Sequence, residues 1–411
     1  MKIKTKEEKA SSFLFVICFF VYMIICMTKS NYSASISYIV KEGIFTKSNA
    51  GIISSAFYLL YGISQIFGGC ITDRISPFTV MKIGIVGSVI TNFLLMFSDN
   101  FYSVLILWSI TGLIQFGVWP SIAKIVAGVI IPKQRRKAAV NITLALALGA
   151  ILSYLIVNLI LEKTGWWGVF GYNVIMLIIA LVLWIIGQKG TQHILTYEHV
   201  EETTSDEAFH PNEKFFPLLI RSGLVLILLL GVGQALLDNG VKSWIPTIMM
   251  ERYGLSPAWA SMQAAILYFC NIFGVKLLVR IFGRIRNAVL VQTIYYLICL
   301  PVYALLLFIG KIPVSFVLLL LIISTTAIYG MTSLSVRVAM AFERYGYSAT
   351  VSGMINGAVC FGVVIAHGGY GIIADRFGWD VVSMMWLVIC VVVILIAIPA
   401  VYLWKKILHE K

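Results

Sequence analysis

Phe13-Leu-Phe-Val-Ile-Cys-Phe-Phe-Val-Tyr-Met-Ile-Ile-Cys-Met27 contains no charge, no proline and no glycine. A helix needs about 20 apolar residues to cross the hydrocarbon of a bilayer, and this run supplies most of them. Comparable runs recur at Ile151–Leu161, Phe316–Ile323 and Val381–Trp404. In lipid each backbone amide must find its partner within its own segment, which selects helices over open strands. Of the 411 residues, 60% are hydrophobic and 12% charged, and the mean hydropathy is +0.94. Soluble domains carry about 25% charged residues. The chain therefore reads as an all-α membrane protein.

Apolar length places twelve spans, near residues 11–40, 47–73, 78–98, 101–131, 137–161 and 167–188, then 216–245, 257–280, 286–309, 313–341, 347–373 and 379–406. The basic start, Met1-Lys-Ile-Lys-Thr-Lys, resembles a secretory leader, but the run is too long and lacks a small-residue cleavage site, so it is read as a retained first span. Lysine and arginine collect in the even connections: Arg74 and Lys82; Lys133, Arg135, Arg136 and Lys137; Arg280, Arg284 and Arg286. Both tails are basic too, with Lys2, Lys4, Lys6 and Lys9 at one end and Lys405 and Lys406 at the other. By the positive-inside rule, both termini face the cytoplasm of a plasma (bacterial inner) membrane. The net charge of +13 has this topological origin and does not imply nucleic acid.

Residues 189–215 break the apolar pattern with His193, Glu198, Glu201, Glu202, Asp206 and His210. Their irregular spacing fits a solvated linker better than a metal site. The expected domains are thus a six-helix bundle over 1–188, a cytoplasmic linker over 189–215 and a second six-helix bundle over 216–411. The halves read as a duplication: Glu162-Lys-Thr-Gly-Trp-Trp-Gly before span 6 is matched by Asp375-Arg-Phe-Gly-Trp-Asp before span 12. The seven cysteines lie in apolar segments without paired spacing, as small buried hydrophobes would. No phosphate-binding Gly-x-x-x-x-Gly-Lys-Ser/Thr loop, His-Glu-x-x-His or Cys-x-x-Cys occurs, so neither a nucleotide-driven pump nor a metalloenzyme is expected, and no cofactor.

Gly69-Cys-Ile-Thr-Asp73-Arg74, between spans 2 and 3, resembles the Gly-x-x-x-Asp-Arg loop signature of the major facilitator superfamily. Gly69 permits close helix approach, and the charges of Asp73 and Arg74 at a helix end can bias one conformation. The counterpart after span 8 keeps Arg280 but has Val279 in place of an acid. Asn31-Tyr-Ser-Ala-Ser-Ile-Ser-Tyr-Ile-Val, Tyr61-Gly-Ile-Ser-Gln-Ile-Phe-Gly-Gly, Gly112-Leu-Ile-Gln-Phe-Gly-Val-Trp-Pro, Ser243-Trp-Ile-Pro-Thr and Phe377-Gly-Trp-Asp resemble, in order and position, the bacterial organophosphate:phosphate antiporters for glycerol 3-phosphate and hexose phosphates. That resemblance implies two pseudo-symmetric six-helix bundles around a central cavity, a monomer, and a phosphate clamp of one arginine from span 1 and one from span 7.

Aligned on those flanking words, Lys29 and Asp238 occupy the clamp positions, Gln65 stands for a basic residue on span 2 and Ala147 for a histidine on span 5. A lysine is a point charge where arginine would grip phosphate bidentately, and a carboxylate repels a dianion. Ionisable residues deep in spans are functional candidates by default. Lys29 is expected to receive a substrate carboxylate and Asp238 an ammonium or a proton; the plain structural alternative is a permanent Lys29–Asp238 ion pair. Gln115, Trp119 and Lys124 have near-helical spacing on span 4 and form a possible cavity-facing stripe. Tyr32, Tyr61, Asn141, Gln234, Asn239, Asn271, Tyr268 and Tyr329 complete the solute-contacting candidates, each with helix-to-helix hydrogen bonding or aromatic filling as the structural alternative. Arg337 reads as a gate or topology charge and His367 as a satisfied buried histidine.

These readings make the chain a transporter, not an enzyme, moving a small organic anion or zwitterion by proton coupling or exchange. Its partners are that solute, protons or a counter-substrate, and lipid. Two alternatives stand beside it: a membrane sensor built on the transporter fold, and retained organophosphate exchange anchored by Lys29 alone.

Overall fold

The computed structural model describes residues 5–195, 215–282, 284–342, 345 and 347–409. The described residues form helices and connecting turns, in the order α1 (Lys6–Lys41), α2 (Lys47–Arg74), α3 (Pro77–Leu95), α4 (Phe101–Ile114), α5 (Val118–Gly128), α6 (Pro132–Thr191), α7 (Phe215–Arg221), α8 (Leu224–Tyr253), α9 (Pro257–Phe282), α10 (Ala288–Leu306), α11 (Val314–Ala341), α12 (Ser348–Phe377) and α13 (Trp379–His409). Among these residues, ten helical stretches are long and apolar enough to cross a membrane. One of them, α6, is 60 residues long and bends at Gly165 into two crossings, and α2 adds a further 28-residue helix. Among the described residues these make twelve candidate crossings, and the protein is a multi-pass membrane protein.

Local chemistry sets the ends and breaks. Thr5 and Glu8 cap α1 reciprocally, each side chain accepting from the other's backbone N–H at 3.3 and 3.2 Å. Asn100 caps α4 by accepting from Ser103 N at 2.9 Å. Two span placements need correction. The seventh crossing is displaced from 216–245: α7 stops at Arg221, Gly223 turns left-handed at φ 68°, and α8 carries the crossing from Leu224 to Tyr253. The fourth is interrupted by a 3₁₀ turn at Gln115–Gly117 between α4 and α5. Pro120 has no N–H to return to the Phe116 carbonyl, so the α-helical ladder cannot run through.

The two Gly-Trp words share a backbone conformation as well as a sequence. Gly165 has φ 70° and ψ −177°, and Gly378 has φ 78° and ψ 178°. Only glycine visits that region cheaply, so the duplication is written into the turns that start spans 6 and 12. Trp166 and Trp379, which follow them, are both buried.

The chain divides into two compact units, residues 1–39 with 56–206 and residues 40–55 with 207–411. The first has a core of Leu14, Ile17, Val21, Met81, Ile85, Ile122, Ile125, Ile142, Leu177 and Trp184, drawn from α1, α3, α5 and α6. A buried amide chain crosses it: Asn31 Nδ2 donates to Asn173 Oδ1, and Asn173 Nδ2 donates to Asn92 Oδ1 at 2.9 Å.

In the second unit α8 is the central helix, in contact with α9, α11, α12 and α13. Two tyrosines of α10 seven residues apart donate to α8 carbonyls seven apart, Tyr296 to Leu230 O at 2.8 Å and Tyr303 to Leu237 O at 3.3 Å. Tyr370 of α12 donates to Leu236 O at 3.2 Å. The first turns of α2 belong to this unit. Their leading amides, Lys47 N and Ser48 N, donate to the Asp375 carboxylate, which suits the positive end of a helix dipole. Farther along, Ser55 Oγ donates to Val364 O at 2.6 Å.

Candidate functional site

In each unit a lysine within a span is held against aromatic rings. In the first, Lys29 of α1 is half-buried, and its Nζ lies 4.7 Å from the centroid of the Tyr61 ring on α2. Tyr61 stacks on Phe57 at 6.0 Å with an interplanar angle of 8°, Phe57 on Trp108 at 4.9 Å, and Trp108 lies 5.4 Å from Tyr32. The ammonium thus caps an aromatic column through α2, α4 and α1. A cation over a ring face gains about 0.5–2 kcal/mol, more where water is excluded.

In the second unit the central charge is a pair. Asp238 Oδ1 and Lys242 Nζ, one helical turn apart on α8, are 2.5 Å from each other, with side chains 7% and 1% exposed. Lys242 Nζ also lies 4.9 Å from the Tyr268 ring centroid on α9 and 4.8 Å from that of Tyr329 on α11. Three helices therefore position this ammonium: its own supplies the carboxylate, and two neighbours supply the rings. Pro246 stands four residues beyond Lys242 and leaves that residue's carbonyl without its helical donor.

Lys242 is the residue that sequence reasoning missed. A signal was present: Asp238 and Lys242 are four apart, a spacing that places both side chains on one helical face. The family resemblance points to Asp238 alone, and in the structure its ion partner is Lys242.

The other candidates divide into two groups. Tyr61 gathers at Lys29, and Tyr268 and Tyr329 gather at Lys242. The rest are mostly engaged in joining helices. Gln115 is 2% exposed and donates to Ser88 Oγ at 3.4 Å, while Gln65 donates to Gln115 O at 3.4 Å. Trp119 is 39% exposed, with its ring 5.6 Å from Tyr22, and Lys124 donates to Thr72 O at 2.8 Å. The expected helical stripe over Gln115, Trp119 and Lys124 is corrected here, because the 3₁₀ turn shifts the register between its first member and the others. Asn271 Oδ1 accepts from Thr325 Oγ1 at 3.3 Å and Thr326 Oγ1 at 3.0 Å, tying α9 to α11. Gln234 is buried on α8, whereas Asn239 on α8 and Asn141 on α6 are half-buried.

His367 has both ring nitrogens occupied, Nδ1 with Ser54 Oγ at 2.5 Å and Nε2 with Ser243 Oγ at 3.0 Å. Arg337 donates to Ile285 O and Arg286 O, stapling the turn before α10. Of the switch motif, Gly69, Asp73 and Arg74 lie in the helical end of α2 and Arg74 is exposed; the side chain of Asp73 lies outside the described residues, as does that of Val279. Glu198, Glu201, Glu202, Asp206 and His210 of the expected linker lie outside them as well.

The Major Facilitator Superfamily model matches residues 18–367. The chain belongs to that superfamily. It is 25% identical over 202 residues to the "Probable hexose phosphate transport protein" of Chlamydia trachomatis, covering 49% of this chain and 44% of the relative. It is 25% identical over 248 residues to the glycerol-3-phosphate transporter of Bacillus subtilis, covering 56% and 55%. With the membrane sensor protein UhpC of Salmonella typhimurium it shares 29% identity over 94 residues, covering 23% and 21%. The chain thus spans from about a fifth to just over half the length of these curated relatives. They are the branch that the sequence words resemble. Among solved structures, a bacterial homologue of the human lysosomal transporter Spinster superposes with a TM-score of 0.80 at 14% identity, over 98% of this chain and 99% of that one. That likeness shows that the two chains share a fold.

Proposed function

We propose that this protein is a secondary active transporter of a small hydroxylated organic anion, with sugar phosphates and glycerol phosphates the first class of solute. Lys242 carries the reading. A charge near the centre of a membrane helix costs about 2.5–3.5 kcal/mol even on lenient insertion scales, and this one is kept and caged by Asp238, Tyr268 and Tyr329. Lys29 gives the first unit an ammonium on a tyrosine in the same manner. An ammonium offers three donors to oxyanions from any direction, and tyrosine faces suit the carbon side of a sugar. Relatives named for hexose phosphate and glycerol 3-phosphate support that class.

A second reading, a sugar-acid or other monocarboxylate, is favoured by Asp238 itself. Its charge partly neutralises Lys242 and repels the second charge of a phosphate dianion. In either case the superfamily's alternating-access cycle, in which two halves rock about a solute near the midplane, is the proposed mechanism. The halves are residues 1–188 and 216–411, joined by the 189–215 linker. The proposed setting is a plasma membrane with both termini cytoplasmic, supported by the one-sided lysine and arginine clusters.

The test is uptake into proteoliposomes of glucose 6-phosphate, glycerol 3-phosphate and galactonate, with and without internal phosphate, against glucose and an amino acid. Saturable uptake of one anion, reduced at least tenfold by Lys29→Met and by Lys242→Gln, is expected. Preference for a neutral or cationic solute that ignores both lysines would refute it. Tight binding without flux would move the protein to the sensor class, the class of the relative named as a membrane sensor.

A further inference from the structure

We infer that Asp238 is the resident counter-ion of Lys242, that a solute anion displaces it, and that the released carboxylate takes a proton, so that one proton enters the site with each anion bound. This rests on the reading above that the solute is an anion. The geometry has two parts. The carboxylate and ammonium sit one turn apart on α8 and almost wholly out of solvent, so a rotamer change in either side chain can part them without moving the helix backbone. The rings of Tyr268 and Tyr329, on two other helices, hold the ammonium in place by an attraction indifferent to which anion it faces. Lys242 is thereby a fixed cation with an exchangeable partner.

The step balances. Before binding, the Lys242 ammonium faces the Asp238 carboxylate. Afterwards the ammonium faces the solute oxyanion, and Asp238 carries a proton taken from hydronium of the bulk solution, which is left as water. The O–H bond of the proton donor breaks and that of the carboxylic acid forms, and for a monoanionic solute the site's total charge is unchanged. Proton uptake follows from cost: an ionised carboxylate buried beside a second anion and without its cation is the most expensive state available, and a neutral acid avoids it.

The other titratable groups around this stretch of α8 have other commitments. Tyr303 of α10 donates to Leu237 O and Tyr370 of α12 donates to Leu236 O. His367 of α12 is held between Ser54 and Ser243. From α13, Cys390 donates to Tyr296 O, facing α10. Tyr268 and Tyr329 face the ammonium.

The experiment is calorimetric titration of the purified full chain with galactonate, glycerol 3-phosphate and glucose 6-phosphate, in two buffers of different ionisation enthalpy, between pH 6 and 8.5. The wild type is expected to take up about one proton per anion bound, with affinity falling up to about tenfold per pH unit as the proton becomes scarce. Asp238→Asn is expected to bind the same anion at least tenfold more tightly at pH 8.5, without pH dependence and without proton uptake. Binding with no proton uptake by the wild type overturns the inference and leaves the anion reading standing, and that outcome needs no variant to fold. Uptake that persists in Asp238→Asn belongs to the solute's own phosphate and overturns it equally. Should none of the three anions bind either protein, the anion reading falls and the inference falls with it.

Discussion

The Asp238–Lys242 pair makes an energetic prediction that needs no solute. Both side chains are buried and 2.5 Å apart, so removing one partner strands the other. Breaking a buried pair costs about 3–5 kcal/mol, whereas replacing both partners by neutral groups of similar volume is often close to neutral. The two single variants should differ. In Asp238→Asn the ammonium keeps the rings of Tyr268 and Tyr329, and two contacts of about 1 kcal/mol each reduce the loss to about 1–3 kcal/mol. In Lys242→Met the carboxylate loses its ion partner and retains no ring, so the full loss of about 3–5 kcal/mol applies. The double variant Asp238→Asn/Lys242→Met should lie within about 1 kcal/mol of wild type, giving a coupling energy of at least about 3 kcal/mol. Thermal unfolding in detergent, monitored by intrinsic tryptophan fluorescence, measures all four proteins. Additive losses in the double variant would show that the two charges do not depend on each other, and the pairing argument would be wrong.

Three further outcomes follow from the backbone and the buried polar groups. Gly165→Ala and Gly378→Ala should each cost about 1–3 kcal/mol by dihedral strain alone, because a Cβ at either position meets nothing within 4 Å; an unchanged melting temperature for both would contradict this. Asn173→Leu should cost about 1–3 kcal/mol by leaving Asn31 and Asn92 without their side-chain partner, and Asn158→Leu, whose amide bonds only its own helix, should cost less in the same melt. Gly371→Leu should stop transport while the protein still inserts, since even a Cβ there would come 2.5 Å from Lys47 O and 2.9 Å from the Trp244 ring. Full flux in that variant would refute the close approach of α2 and α12.

Much of the architecture was legible in the chain because lipid leaves it little choice. Uninterrupted apolar length, amides that must bond within their own segment, and lysines and arginines gathered in alternate connections are one-dimensional properties, and they decide helix, number of crossings and the expected orientation. The repeated Gly-Trp word announced the duplication, since a positive φ with extended ψ can be written only as glycine. Lys29 and Asp238 were legible for the same reason: charge in a span stands out against its background.

Which groups face one another was not legible, because side chains from different helices meet only after packing. Gln115 and Asn271 look alike in sequence to any solute-binding amide, yet packing commits one to Ser88 and the other to Thr325 and Thr326. The break before Pro120 shifted a face that helical spacing alone had drawn as continuous. Lys242 shows the division most clearly. Its spacing from Asp238 was there in the chain, but the convergence of Tyr268 and Tyr329 on its ammonium joins residues 26 and 87 positions away, and only the folded second unit brings them within 5 Å.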